Sequence, residues 1–224
     1  MARVEEVGRY FVVRDGYALY QGPVTEGAVH RHAAFQVVIG VRGDVTVEDA
    51  SGMPYRGGAL VVAPMVGHRL LANEAVRTFF VEPHSAFADR LRVRCGDGIR
   101  SAPEMTGLLE EDVRVGGASG ELDGRLLLAM RRMTEEGMSM VDLAAEVGLS
   151  SPRLRALARR QLGMPLTRWR IWQRLARSAE VLREGGALSG AAFAGGFADQ
   201  AHFSREMRRM MGLTPSEVVR AVRG

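Results

Sequence analysis

The side chains able to do chemistry fall into two groups, and histidines make up the first. Of the five histidines in the 224-residue chain, His30, His32 and His68 lie in its first third. Side chains of an extended segment alternate between faces, so His30 and His32 project from the same side of a strand. Gln36 follows four positions after His32, and His68 comes after Pro64-Met65-Val66-Gly67. Imidazole nitrogens with one oxygen donor suit a divalent cation such as Zn, Ni, Fe or Mn. The same groups suit the lining of an effector pocket, or simply the polar interior of a small barrel. On the residues alone these three readings stay open. His84, in Pro83-His84-Ser85 ahead of a helix, reads as a surface or cap residue. Cys95 is the only cysteine, which excludes an intramolecular disulfide and a CxxC metal site.

Arginines make up the second group, and they supply all 30 basic residues. Residues 137–224 hold 14 Arg against 7 acids, or +7, and residues 1–136 hold 16 Arg against 19 acids, or −3, which sum to the +4 of the chain. A basic end joined to a slightly acidic one implies a polyanion-binding module attached to a part with another task. Guanidinium pairs in bidentate fashion with phosphate and with guanine O6 and N7.

The elements that must position these arginines are two helix pairs. Ser139 caps a helix whose Val141, Leu143, Ala144 and Val147 cluster on one side, and Gly148 ends it. Leu149-Ser150-Ser151-Pro152 opens a second helix, which buries Leu154, Leu157 and Ala158 and turns Arg153, Arg155, Ala156, Arg159 and Arg160 outward. Helix, short glycine turn and basic helix is the helix-turn-helix pattern. The pattern then repeats. Ser189 caps a short helix through Ala191, Ala192 and Ala194, Gly195-Gly196-Phe197-Ala198 makes the turn, and Asp199 caps a helix that buries Phe203, Met207 and Met210. Its outer face presents Gln200, Ser204, Arg205, Arg208 and Arg209, while His202 packs or caps locally. Between the pairs, Leu166, Trp169, Trp172, Leu175, Ala179 and Leu182 form the apolar stripe of a linker helix over 166–184, with both tryptophans in the core. Such a helix spans about 28 Å. That is close to the ~34 Å between successive major grooves on one face of DNA, so one chain has the reach to read about two turns.

Gly148-Leu149-Ser150 through Gly163-Met164-Pro165, Leu175-Ala176 with Ala179, Gly196-Phe197-Ala198-Asp199-Gln200-Ala201-His202-Phe203-Ser204-Arg205, and Gly212-Leu213-Thr214-Pro215-Ser216 carry a resemblance. Over residues 122–224 the chain resembles the DNA-binding domain of the AraC/XylS family of transcription regulators. Ala158 and Met207 stand where that family has larger aromatics. The resemblance implies base reading by Pro152, Arg155 and Ala156 in the first unit and by Gln200, Ala201, Ser204 and Arg205 in the second. Arg155 and Arg205 suit guanine, Gln200 suits adenine, and Arg153, Arg159, Arg160, Arg208 and Arg209 suit phosphates. It also implies promoter duplex DNA and RNA polymerase as partners, a small-molecule or metal effector, activation as the commoner mode, and no reaction of the protein's own. In relatives the helices after the barrel mediate dimerisation; here Phe87, Leu91 and Leu108-Leu109 either form such a homodimer face or cover the barrel.

The N-terminal half reads as short strands over 10–13, 17–20, 35–41, 45–48, 59–63, 68–71 and 77–81, punctuated by glycine and proline as in a jelly-roll barrel. His30-Arg31-His32, Gln36, Gly43 and His68 resemble the cupin pattern, with Gln36 in place of the acid. In metal-binding cupins the three histidines and the acid are ligands. A metal-dependent cupin enzyme is therefore the alternative reading, opposed by the missing acid and by the attached helical half. Helices are expected over 84–94, 103–112 and 121–136, with Gly116-Gly117-Ala118-Ser119-Gly120 as a flexible linker. The expected class is α+β: a cupin-like effector-binding barrel over 1–117, then an all-α DNA-binding domain over 118–224 with two helix-turn-helix units on one linker helix. No run approaches the ~18 apolar residues of a membrane span and the start lacks a signal peptide, so a cytoplasmic bacterial protein without a membrane partner is expected.

Overall fold

The computed structural model describes residues 8–114, 117–133 and 138–223. Its N-terminal half is built from β1 (Tyr10–Arg14), β2 (Tyr17–Val24), β3 (Phe35–Gly40), β4 (Val45–Asp49), β5 (Pro54–Gly57), β6 (Ala59–Val62), β7 (His68–Leu70), β8 (Asn73–Val81) and β9 (Ile99–Ser101). All pair antiparallel, in a six-stranded sheet ordered β1-β2-β8-β3-β6-β9 and a three-stranded sheet ordered β5-β4-β7. The expected α+β class is the observed one.

β3 reads Phe-Gln-Val-Val-Ile-Gly, with almost no polar alternation, because both faces of its sheet are covered. Val37 and Ile39 join Val61 and Phe79 in a core closed by Phe87 and Leu91 of α1 (Ala86–Cys95). Phe87, Leu91 and Leu108 are buried against the sheet, while Leu109 is exposed. Gln36 and Val38, one residue out of phase, take the opposite face, where Val38, Leu60 and Phe80 meet Val45 and Val47 of the smaller sheet.

β5 and β9 were not expected. Each has three or four residues and carries Pro, Gly or exposed polar groups, so propensity is silent and only the ladders to β4 and β6 make them strands. The expected helix over 103–112 is a 3-10 turn (Pro103–Met105) and the short α2 (Glu110–Arg114), with Gly107 between them. α3 (Gly124–Arg132) starts at the Asp123 cap; residues 134–136 of its expected span and Gly116 of the expected linker lie outside the described residues. Residues 117–120 are tied down, contrary to the expected flexibility. The Ala86 amide donates to the Gly117 carbonyl (3.0 Å), and Asp89 accepts from Ser119 Oγ (2.6 Å) and the Gly120 amide (3.0 Å). Glycine supplies freedom, but one well-placed carboxylate removes it.

The remaining helices are α4 (Met140–Glu146), α5 (Ser151–Leu162), α6 (Leu166–Arg183), α7 (Leu188–Ala194), α8 (Gln200–Met211) and α9 (Pro215–Arg223). α6 runs between the helix pairs as expected, with Trp169, Trp172, Leu175, Ala179 and Leu182 buried. The sheet and helical halves share one apolar core: Val38, Leu60 and Phe80 pack in the same cluster as Trp172, Met211 and Leu213. β1 lies against α6 and α9. No helix of the described residues is long and apolar enough to cross a membrane.

Candidate nucleic-acid interface and the histidine cluster behind it

Backbone chemistry sets the two helix pairs. Ser139 Oγ accepts from the Asp142 amide and Ser150 Oγ from the Arg153 amide, satisfying donors that a helix start leaves open. Gly148 takes φ +66° in the first turn and Gly196 φ +67° in the second; Gly163 and Gly212 take +69° and +67° after α5 and α8. Each is a left-handed position that favours glycine, so the two units share their turn geometry as well as their pattern. Asp199 caps α8 by accepting from the His202 amide at 2.6 Å. Ser189, expected as the α7 cap, stands inside the first turn; the cap position is Ala187, without a side-chain bond. The second turn is held from α6, where Arg174 Nε donates to the Gly195 carbonyl at 2.7 Å and the guanidinium lies 4.3 Å over the Phe197 ring.

Pro152, Arg153, Arg155, Ala156, Arg159 and Arg160 on α5 are exposed. So are Gln200, Ala201, Arg205, Arg208 and Arg209 on α8, with Ser204 half-buried. Among the described residues no acid lies within ion-pair reach of Arg155 or Arg205, whereas Arg209 is 3.5 Å from Glu206. Arg159 and Arg160 line a cleft of about 830 Å³ between α5 and the sheet half, opposite Asp49 and Asp97. His202 stacks edge-on against Phe197 at 5.3 Å, which is local packing as expected.

The three N-terminal histidines converge. His32 and His68 are buried, and the rings of His30, His32 and His68 lie 4.6 to 4.9 Å apart, centroid to centroid. β3 supplies Gln36, the start of β7 supplies His68, and a bridge between His30 and His68 aligns the incoming segment. Gln36 Oε1 lies 3.1 Å from His32 Nε2 and 2.7 Å from His68 Nε2. Burial, reinforced by the neighbouring imidazoles, holds His32 well below the usual histidine range. Burial also takes His68 down to about 3 and lowers His30, so the cluster disfavours protonated rings. Neutral imidazoles and an amide oxygen are donors to a cation, and the arrangement can hold one.

The cluster is also a contact between halves, which the sequence reading missed. His32 Nδ1 is 2.5 Å from the Met210 carbonyl in the last turn of α8, and the Arg31 amide reaches the Arg209 carbonyl at 3.5 Å. A second polar contact was missed as well. Glu82, buried at the end of β8, accepts from Trp172 Nε1 (3.0 Å) and Gln173 Nε2 (3.1 Å) of α6. Burial drives its carboxyl up to about 7, against the pull of those two donors. The one available sign was an acid closing the apolar run Phe79-Phe80-Val81. His84 is not the expected surface cap: Ser85 caps α1, and the His84 ring packs edge-on against Trp169 at 5.3 Å. Burial raises Cys95 to about 11, consistent with an inert thiol.

Residues 143–221 match the family model of the helix-turn-helix domain. Among solved structures, an apo variant of ToxT from Vibrio cholerae aligns with TM-score 0.62 and 12% identity, covering 93% of this chain and 98% of that one. Wild-type ToxT with an unsaturated fatty acid bound aligns with TM-score 0.57 and 12% identity, covering 93% and 96%. A regulator from Chromobacterium violaceum with an AraC-type DNA-binding domain is 28% identical over 44% of this chain and 91% of its own, with TM-score 0.42. No curated protein matches the chain significantly. The likeness to ToxT is one of fold, and it extends over both halves. Residues 143–221 are thus a helix-turn-helix domain, carried on a chain whose two-part fold is similar to that of ToxT.

Proposed function

We propose that the chain is a sequence-specific, effector-responsive transcription regulator of the bacterial cytoplasm, reading promoter DNA with α5 and α8. One observation carries this reading: two helix-turn-helix units on a single rod present Arg155 and Arg205 to solvent with no acid in reach among the described residues. Arg155, Pro152 and Ala156 read bases in one groove, and Gln200, Ala201, Ser204 and Arg205 in the next. Arg153, Arg208 and Arg209 hold phosphates and carry no sequence information. Arg159 and Arg160 have the same chemistry, at the mouth of the cleft facing the sheet half. The sheet half is the receiver, supported by its direct contacts to α6 and α8 and by the fatty acid held in the structurally similar ToxT. The family resemblance favours activation through RNA polymerase over repression, with no reaction catalysed.

Selection of duplexes from a random pool by the full-length chain tests the reading. The expected result is an enriched, non-palindromic motif of about two helical turns. A pool that emerges without sequence enrichment, or enriched for single strands, overturns it.

A further inference from the structure

A cavity lies where the end of β8, the turn between β1 and β2, α3 and α6 meet. Its volume is about 210 Å³, and Asp15, Glu82, His84, Leu127, Met130 and Trp169 are among its walls. That exceeds the place of a single water and falls short of a drug-sized pocket, so it suits a small organic molecule. The polar walls are incompletely satisfied. Among the described residues three buried side-chain atoms lack a hydrogen-bond partner, and two of them, His84 Nδ1 and Trp169 Nε1, belong to residues of this cavity. Glu82 is 7% exposed, and its Oε1 accepts from both α6 donors, the Trp172 indole and the Gln173 amide. Its Oε2 stands 3.5 Å from His84 Nδ1, too far for a good hydrogen bond. Both donors to Glu82 are uncharged, and the Asp15 carboxylate opposes its ionisation. Burial lowers His84, which disfavours an imidazolium as counter-ion. Arg131 of α3 also lines the cavity and is exposed, and Arg92 is held by Asp89. The buried end therefore offers two acceptors 3.5 Å apart, with no charged donor of the described residues between them.

We propose that this cavity binds a small organic ammonium ion, a primary amine on a compact apolar body, and that the bound ion ties the linker helix α6 to the sheet half. An ammonium nitrogen about 2.8 Å from both Glu82 Oε2 and His84 Nδ1 bridges the two acceptors, with the imidazole in its Nε2–H tautomer. Two atoms 3.5 Å apart share such a position. Asp15 adds attraction and Arg131 opposes it, and the exposure of both screens them. The Trp169 ring, edge-on to His84 at 5.3 Å, adds a π system beside the charge, and Leu127 and Met130 take the hydrocarbon. Charge decides the class of ligand. A carboxylate would set a second negative charge beside Glu82, and a neutral molecule would leave the ionised carboxyl without a counter-charge. The ion touches Glu82 and His84 on one side and residues of α3 and α6 on the other, so occupancy favours the assembled junction and assembly favours occupancy. That such binding is a regulatory signal rests on the sheet half being the receiver of a DNA-binding regulator.

Benzylamine, benzyl alcohol and benzoate share a ring and differ in charge, and each is titrated into the full-length chain, without DNA, to about 10 mM. The chain has two tryptophans: Trp169 lines the cavity and Trp172 bonds Glu82, so fluorescence and the two indole N–H resonances report the site directly. The expected result is saturable binding of benzylamine, about tenfold or more tighter than either control, with shifted indole resonances. Binding should tighten about tenfold from pH 6 to pH 8, because the carboxyl that receives the ion titrates near 7 and must first release its proton. Glu82→Gln should lose the preference for the amine and the pH dependence, while keeping an oxygen for the two α6 donors. Ala118→Phe narrows the cavity from an exposed position, leaves every charged group in place and should weaken benzylamine about tenfold. It carries the test alone should the Gln variant fail to fold. Benzoate or benzyl alcohol binding as tightly as the amine overturns the ligand class. No saturable binding by any of the three, or benzylamine binding that both variants leave unchanged, overturns the site. No readout uses DNA, so a failed duplex selection and a failed amine site are told apart.

Discussion

At the scale of single residues, the two kinds of exposed arginine make different demands. Arg155→Ala and Arg205→Ala should each cost about 1–3 kcal/mol on the selected duplex and relax discrimination at one base position. Arg209→Ala should weaken every sequence alike and lower the salt slope by about one, since its partner is a phosphate. Affinities across single-base duplex variants at several salt concentrations decide, and the same uniform loss in all three variants would contradict the assignment. Glu82 makes a prediction about pH. Its folded-state carboxyl titrates near 7, against an ordinary value of 4.5, so the folded chain keeps a proton that the unfolded chain has released. Its effect on stability is therefore a loss as pH rises from about 4.5 to about 7, level above that. Burial lowers the adjacent His84, which disfavours an imidazolium beside the charge. Glu82→Gln keeps an oxygen for the Trp172 and Gln173 donors and removes the ionisation. Urea unfolding should show the variant gaining on wild type between pH 5 and pH 8, by on the order of 3 kcal/mol. An unchanged difference between the two pH values would refute the raised carboxyl of Glu82. Neither the partners of Glu82 nor the Met210 carbonyl could be found from the sequence, because an acid closing an apolar run names no partner and a backbone oxygen carries no pattern of its own.

At the scale of elements, the helix starts and stops were legible because caps are local chemistry: a hydroxyl or carboxylate within three residues of the amide it accepts from. Ser139 and Asp199 cap as expected, Ser150 rather than Ser151 is the cap within Leu149-Ser150-Ser151-Pro152, and Gly148, Gly163, Gly196 and Gly212 take the left-handed backbone that ends helices. β5, β9 and the broken 103–112 segment were illegible for the opposite reason, since their state depends on distant partners. The second turn offers a direct test of an element's fit. A Cβ at Gly195 would meet Ser178 Oγ at 2.1 Å and the Arg174 carbonyl at 2.8 Å, although its φ of −77° is open to any residue. Gly148 has the reverse problem, with open space but φ +66°. Gly195→Ala should cost about 1–3 kcal/mol by forcing α7 off α6, and Gly148→Ala about 1–2 kcal/mol by backbone strain. Thermal unfolding checks both. Because Gly195 sits in the turn before α8, its variant should also lose affinity for the selected duplex at a temperature where it is still folded; retained affinity and stability would mean the helices are less closely seated than described.

At the scale of the whole molecule, charge and binding should divide with the chain. A fragment of residues 118–224 should bind duplex DNA with steep salt dependence, and a fragment of residues 1–117 should not. Gel-shift titrations of both fragments decide, and duplex binding by residues 1–117 would overturn the division of labour. The shared core adds a cost the sequence did not announce: the helical fragment exposes Trp172 and Leu213, which pack with Phe80 in the full chain, so it should unfold at a lower temperature than the intact protein. The sequence by itself determined the α+β class, the paired helix-turn-helix units, the arginines they display and the three histidines of one cluster. The class, the helix units and the arginines follow from spacing, because periodicity, caps and charge are properties of neighbours along the chain, whereas His68 was grouped with His30 and His32 by the resemblance to the cupin pattern. Only the tertiary structure decided that the histidines lie behind α8, that a supposed linker is pinned by Asp89, and that Glu82 joins the two halves. Each of those depends on which surfaces meet after collapse, and contacts such as His32 with Met210 join residues too far apart in sequence for any local pattern to encode.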